Sequence, residues 1–189
     1  MVAIIDYNVG NVKSVLNACK RIGIPARLTR EPAEIRQASG IILPGVGAFP
    51  TAMRNLEQFG LISLLKERAA EGIPILGICL GMQILFEIGC EGEECEGLGL
   101  LKGKVDLIPT TAKLPHMGWN TLSQTDKDVY FVHSYMAEFN DETIEYAEYG
   151  GVKIPAIVGR DNIMGCQFHP EKSGKVGEDI LRKWSEKLC

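Results

Sequence analysis

Apolar residues recur along this chain in two alternating rhythms, short continuous runs and helical spacing, and the alternation predicts an architecture. Residues 2–7 are predicted as a strand, opening on the apolar run Val2 to Ile5, the pattern of a strand covered on both faces. A helix over 11–22 follows, with Gly23 as its stop. Further strands are predicted at 26–29 and 40–43, then a helical region over 50–70 broken near Gly60, then a strand at 73–78 with a helix starting at Leu80. Strand and helix in this order imply a parallel sheet with helices on both faces and right-handed crossovers. After Glu96 the rhythm changes. Short strands at 105–108, 129–135, 145–149, 156–160 and 163–168 suggest added antiparallel structure, and a closing helix is predicted over 176–188. No internal repeat, low-complexity tract or linker divides the pattern, so residues 1–189 are expected to form a single domain. In such sheets function belongs at the carboxyl ends of the strands.

Composition narrows the function classes. The 189 residues are 46% hydrophobic and 23% charged, ordinary for a globular core. A net charge of −4, with no run of Lys or Arg longer than two, argues against nucleic-acid binding. No apolar stretch reaches the roughly 18 to 20 residues of a membrane span, and the chain enters a strand without a charged leader, so a cytoplasmic location is expected. Cysteines stand at 19, 79, 90, 95, 166 and 189. None forms a C-x-x-C pair, and Cys90 and Cys95 have no second pair or histidine nearby, so no metal or cofactor is expected. Cys19 and Cys166 read as core, and Cys189 as exposed and inert. The acidic run Glu91, Glu93, Glu94, Glu96 reads as a solvated loop.

Cys79 stands apart from the other thiols. The segment 73–88, IPILGICLGMQILFEI, places it at a strand-to-helix turn between Gly77 and Gly81, the layout of a nucleophile elbow with sulfur in place of a hydroxyl. A buried, inert cysteine is the competing reading. Near the other end, IMGCQFHPE (163–171) is a predicted strand that delivers His169 and Glu171 into a loop at Pro170. Thiol catalysis needs an imidazole to take the proton, and the imidazole needs an acceptor for its second nitrogen. Cysteine, histidine and glutamate are supplied in that order. Taken singly, His169 could be satisfied by a backbone carbonyl and Glu171 by solvent.

Together GICLGMQ (77–83) and FHPE (168–171) resemble the two signatures of the class I, or triad-type, glutamine amidotransferases. The resemblance extends over nearly the whole chain. The strings IIDYNVGNVKSV (4–15), ILPGVGAF (42–49), PHMGWN (115–120) and FVHSY (131–135) are similar to those of one branch, whose members supply ammonia to a cyclase subunit with a (β/α)8 barrel. The resemblance implies an α/β fold, a flavodoxin-like three-layer sandwich with a mainly parallel sheet and an additional antiparallel section in the C-terminal half. It implies a heterodimer that hydrolyses glutamine through a thioester on Cys79, with His169 and Glu171 completing the triad. Backbone N–H groups of Leu80 and of the turn holding Val46 and Gly47 would bind the oxyanion. Gly45, Gln83, His133, Ser134 and Tyr135 would contact glutamine, and Asn8, Asn11, Trp119, Tyr130 and Lys172 would face the partner. Plainer readings stay open: a simple turn at 44–47, a polar helix position for Gln83, core packing for Trp119, an N-cap for Asn11 and a solvated charge for Lys172. So do a glutaminase serving another synthase (anthranilate, aminodeoxychorismate or pyridoxal phosphate), a different thiol hydrolase, and a non-catalytic flavodoxin-like module.

Overall fold

The computed structural model describes residues 1–188; Cys189 lies outside them, and with it the expectation of an exposed, inert thiol. The first half is the predicted alternation: β1 (Val2–Ile5), α1 (Val12–Arg21), β2 (Ala26–Thr29), α2 (Pro32–Arg36), β3 (Gly40–Gly45), α3 (Phe49–Gln58), α4 (Leu61–Ala70) and β4 (Ile75–Cys79). Then come α5 (Leu80–Gln83), β5 (Ile88–Gly89), β6 (Cys95–Glu96), β7 (Lys104–Leu107), β8 (His116–Leu122), β9 (Lys127–His133) and β10 (Tyr135–Ala137). The chain continues through β11 (Thr143–Tyr149), β12 (Val152–Arg160), β13 (Ile163–Cys166), a 3-10 turn (Pro170–Lys172) and α6 (Gly174–Ser185).

Nine strands form one sheet in the order β2-β1-β3-β4-β13-β12-β11-β8-β9. The strands from β2 to β13 run parallel, and those from β13 to β9 pair antiparallel. The two halves meet at β13, which returns beside β4 and so brings the 163–171 segment next to Cys79. Strand alternation sorts the side chains of β1 between two cores. Ala3 and Ile5 pack on the face covered by α3 and α4, with Leu56, Leu61 and Leu65. Val2 and Ile4 pack on the face covered by α1 and α6, with Ala18, Cys19, Leu181 and Trp184. Both faces are therefore dry, which is why β1, β3 and β4 read as unbroken apolar runs. A second sheet, β10-β7-β5-β6, stands beside the first.

Several elements depart from the predicted pattern, among them the two-residue strands β5 and β6, where no strand was predicted. The helix at Leu80 is a single turn, because the carbonyls of Ile84, Leu85, Phe86 and Glu87 accept N–H groups from residues 97–101 and so cannot continue a helical ladder. The strand predicted over 129–135 is two strands in different sheets. At Ser134 the chain leaves one sheet for the other, its carbonyl taken by the Ile108 N–H. Strand β8 escaped the pattern because two of its large apolar side chains point outward. Met117 and Trp119 are each 60% exposed while His116 is 3% exposed, the reverse of the usual alternation. The short helix α2, entered through Pro32, was not predicted either.

Candidate active site

Cys79 ends β4 with φ 54 and ψ −112, a left-handed backbone that a non-glycine residue adopts only under local constraint. The constraint is close packing of strand on turn. A Cβ on Gly81 would lie 1.8 Å from the Leu43 carbonyl oxygen, and one on Gly77 would lie 2.5 Å from the Gly81 carbonyl oxygen. Only glycines let β3, β4 and the turn approach this closely. The thiol sits 3.8 Å from the Val132 carbonyl, and the Gln167 amide lies 3.8 Å from Sγ.

His169 and Glu171 follow β13 across the seam. Nδ1 of His169 lies 2.8 Å from Glu171 Oε1, with both side chains almost fully buried. Nε2 is buried with no hydrogen-bond partner among the described residues and is the nitrogen left to meet Cys79. Burial by itself would lower the His169 pKa, but interaction with the nearby Cys79 and with Glu171 outweighs it and holds it at about 9. The His169–Glu171 contact is made within the fold itself. The other buried thiols are inert by contrast: burial pushes Cys19 up to about 11 and Cys166 higher still.

In front of the thiol lies a cavity of about 310 Å³ lined by Val46, Gly47, Cys79, Leu80, Gln83, Glu91, Pro115, Val132, His133, Ser134 and Tyr135. Of the sequence-predicted residues, Val46, Gly47, Leu80, Gln83, His133, Ser134 and Tyr135 are brought to this wall. Gly45 is not. It packs behind, where a Cβ would lie 2.9 Å from both the Gly81 nitrogen and the Tyr7 hydroxyl oxygen. Gln83 donates from Nε2 to the Tyr135 carbonyl at 2.9 Å and to Gln167 Oε1 at 3.0 Å, so its own Oε1 is the atom free to meet a ligand. His133 donates from Nδ1 to the same Tyr135 carbonyl at 2.7 Å. Burial lowers its pKa to about 3, so it is neutral near pH 7.

Three participants escaped sequence reasoning. Glu91 was read as part of a solvated acidic loop. Instead it enters the cavity wall, and its Oε2 accepts the Phe49 N–H at 2.7 Å. Nothing in the run of four acids singles it out. Tyr7 is fully buried and donates its hydroxyl to the Pro44 carbonyl at 2.7 Å, fastening the 44–47 turn to the end of β1. Ser173 donates to the His169 carbonyl at 2.6 Å and accepts the Tyr130 N–H at 3.0 Å, while the His169 N–H donates to the Tyr130 carbonyl at 2.9 Å. His169 is thereby clamped to β9.

At the rim, Trp119 meets Tyr130 edge-on at 6.0 Å, and Lys172 Nζ lies 5.7 Å from the Tyr130 ring centre. Asn8 and Asn11 lie on the β1–α1 connection and are not in this aromatic cluster. Asn8 accepts from Arg30 at 3.1 Å, and Asn11 precedes α1 without a side-chain capping bond.

A cysteine at a strained elbow, beside a buried histidine–glutamate pair at the carboxyl edge of a parallel sheet, defines a thiol-dependent hydrolase or transferase site. The family model for glutamine amidotransferase class-I matches residues 3–187, and the chain belongs to that family. It is 56% identical to the imidazole glycerol phosphate synthase subunit HisH of Lactococcus lactis, over 99% of this chain and 98% of that protein. The subunit of the same name from Streptococcus sanguinis is 48% identical over 98% of this chain and 96% of its own length. A solved structure described as a glutamine amidotransferase superposes with a TM-score of 0.81, covering 99% of this chain and 98% of that one at 21% identity, a likeness of fold.

Proposed function

We propose that this chain, acting as one domain over residues 1–189, is the glutaminase subunit of imidazole glycerol phosphate synthase in histidine biosynthesis, and that it works in the cytoplasm. The Cys79 thiolate attacks the side-chain carbonyl of glutamine, and His169 gives its proton to the departing nitrogen, so ammonia leaves a γ-glutamyl thioester. His169 then takes a proton from water, which attacks the thioester and releases glutamate and the thiol. Glu171 holds the ring and stabilises its charged form.

The oxyanion formed in each step needs donors. The N–H of Leu80 supplies one, and the turn carrying Val46 and Gly47 supplies the other; each is worth on the order of 3 kcal/mol of transition-state stabilisation. Glu91 is the carboxylate of the cavity wall and matches the α-ammonium of glutamine. Ammonia passes through an internal passage to a cyclase subunit with a (β/α)8 barrel, which makes imidazole glycerol phosphate and AICAR. Asn8, Asn11, Trp119, Tyr130 and Lys172 face that partner, and its docking activates the glutaminase by setting the 44–47 turn.

The observation that carries the reading is the buried 2.8 Å His169–Glu171 pair beside a cysteine held at positive φ. In the assembled complex, Cys79→Ala is expected to abolish glutamine-dependent synthesis while synthesis from added ammonium salt survives. Loss of both activities would assign Cys79 a structural role instead.

A further inference from the structure

Two buried histidines, His116 and His133, take no part in the chemistry above, yet their hydrogen bonds leave each ring nitrogen one assignable role. Nδ1 of His133 faces the Tyr135 carbonyl at 2.7 Å, which only accepts, so Nδ1 carries the proton. Nε2 of His133 is then an acceptor, and the Nδ1 of His116, 2.9 Å away, must be its donor. Nε2 of His116 in turn accepts from the Asn120 amide at 3.1 Å, and that amide also donates to the Glu148 carbonyl at 2.9 Å. The partners thus assign the protons, and the chain has a single polarity: Asn120 to His116 to His133 to the Tyr135 carbonyl.

The chain ends on the frame of the substrate cavity. The Tyr135 carbonyl accepts from His133 on one side and from Gln83 on the other, at the point where the backbone passes between the two sheets. Val132 to Tyr135 form one wall of the cavity, so these two donors set where that wall stands. His116 lies on β8, outside the cavity, stacked between Phe131 at 4.6 Å and Tyr149 at 4.1 Å, each inclined by 23°. Its burial lowers its pKa to about 4, which keeps one donor and one acceptor nitrogen near neutrality. Without a donor at position 116, His133 Nε2 is left buried without a partner, and the ring loses the contact that holds it in line with the Tyr135 carbonyl.

We propose that His116 is a positioning residue for the glutamine site: by donating from Nδ1 to His133 Nε2 it holds the His133 ring against the Tyr135 carbonyl and so fixes the Ser134–Tyr135 backbone where glutamine binds. This rests on the glutaminase reading above, and the experiment separates the two. Long-range 1H–15N spectra of the protein labelled in its histidines are expected to show His116 and His133 both protonated on Nδ1. His116→Phe keeps the aromatic stack but cannot donate. His133 is then expected to keep its proton on Nδ1 while its Nε2 resonance moves downfield as the hydrogen bond to it is lost, and in the complex with the cyclase the glutamine KM should rise about tenfold, the equivalent of one hydrogen bond, with kcat falling at most about twofold. His116→Asn, whose amide can stand where Nδ1 stood, should recover most of the KM and the Nε2 resonance position of His133. An Nε2–H tautomer in the unaltered protein overturns the proposal. A folded His116→Phe protein with unchanged KM does so too, as does equal impairment of the Phe and Asn variants. Absence of glutaminase activity in the unaltered complex would overturn the functional reading instead, and the tautomer spectra would still judge the hydrogen-bond chain.

Discussion

The two halves of the nine-stranded sheet solve opposite problems. The parallel half, β2 to β13, buries strands on both faces and fixes Cys79 by backbone packing, with glycines where a methyl group would collide with a carbonyl. The antiparallel half, β12 to β9, places two histidines among its buried side chains and leaves two large apolar ones of β8 outside. His116 and His133 are buried there while Met117 and Trp119 are exposed. One half holds the nucleophile by steric exclusion, the other holds the pocket wall by directional hydrogen bonds. The first tolerates no added atom, and the second tolerates no lost proton donor.

The comparison breaks most sharply at Gly81. Gly81→Ala pushes a Cβ into the Leu43 carbonyl, which is backbone and cannot swing away, so little soluble folded protein is expected by circular dichroism and gel filtration. A smaller effect belongs to the seam between the halves. Glu171→Gln keeps the shape of the buried pair but removes the charge that supports protonated His169, and kcat with glutamine should fall roughly 10³-fold while the melting temperature moves little.

The antiparallel half is the more sensitive to acid. His116 and His133 titrate near 4 and 3 in the fold, against about 6.5 in an unfolded chain. Their contribution to stability is therefore intact above pH 6.5 and disappears as pH falls toward 4 and 3. The melting temperature should drop by roughly 10 °C over that acid range, and His116→Phe should flatten part of the drop. His169, raised to about 9, has the opposite sign: its contribution is intact below pH 6.5 and is lost as pH climbs through 9. The smallest intrinsic effect is expected at Trp119. Trp119→Ala should change stability by no more than about 0.5 kcal/mol, because the ring is 60% exposed, yet weaken binding of the cyclase about tenfold in calorimetry.

Legibility in the sequence follows the same division. In the parallel half, two-sided burial writes itself as apolar runs, so β1 to β4 and, apart from α2, the helices between them appear within a few residues of their observed bounds. The turn at Cys79 is legible because its glycines are local requirements. In the antiparallel half the exposed Met117 and Trp119 invert the hydrophobic pattern and hide β8. The split at Ser134 depends on which sheet captures the next strand, and no local signal records that. Glu91, Tyr7 and Ser173 act through partners 42, 37 and 43 residues away in the chain, separations at which a residue's chemistry says nothing about its neighbour.

The amino-acid sequence alone determined the family signatures, the candidates Cys79, His169 and Glu171 and the alternating α/β order, because each is a matter of residue type and local spacing. Only the tertiary structure decided that β13 lies beside β4, that the His169–Glu171 pair is buried, and that Asn120, His116 and His133 form one directed chain ending on the pocket wall. Proton positions in that chain are set by which atoms meet, and those meetings exist only after the sheet has closed.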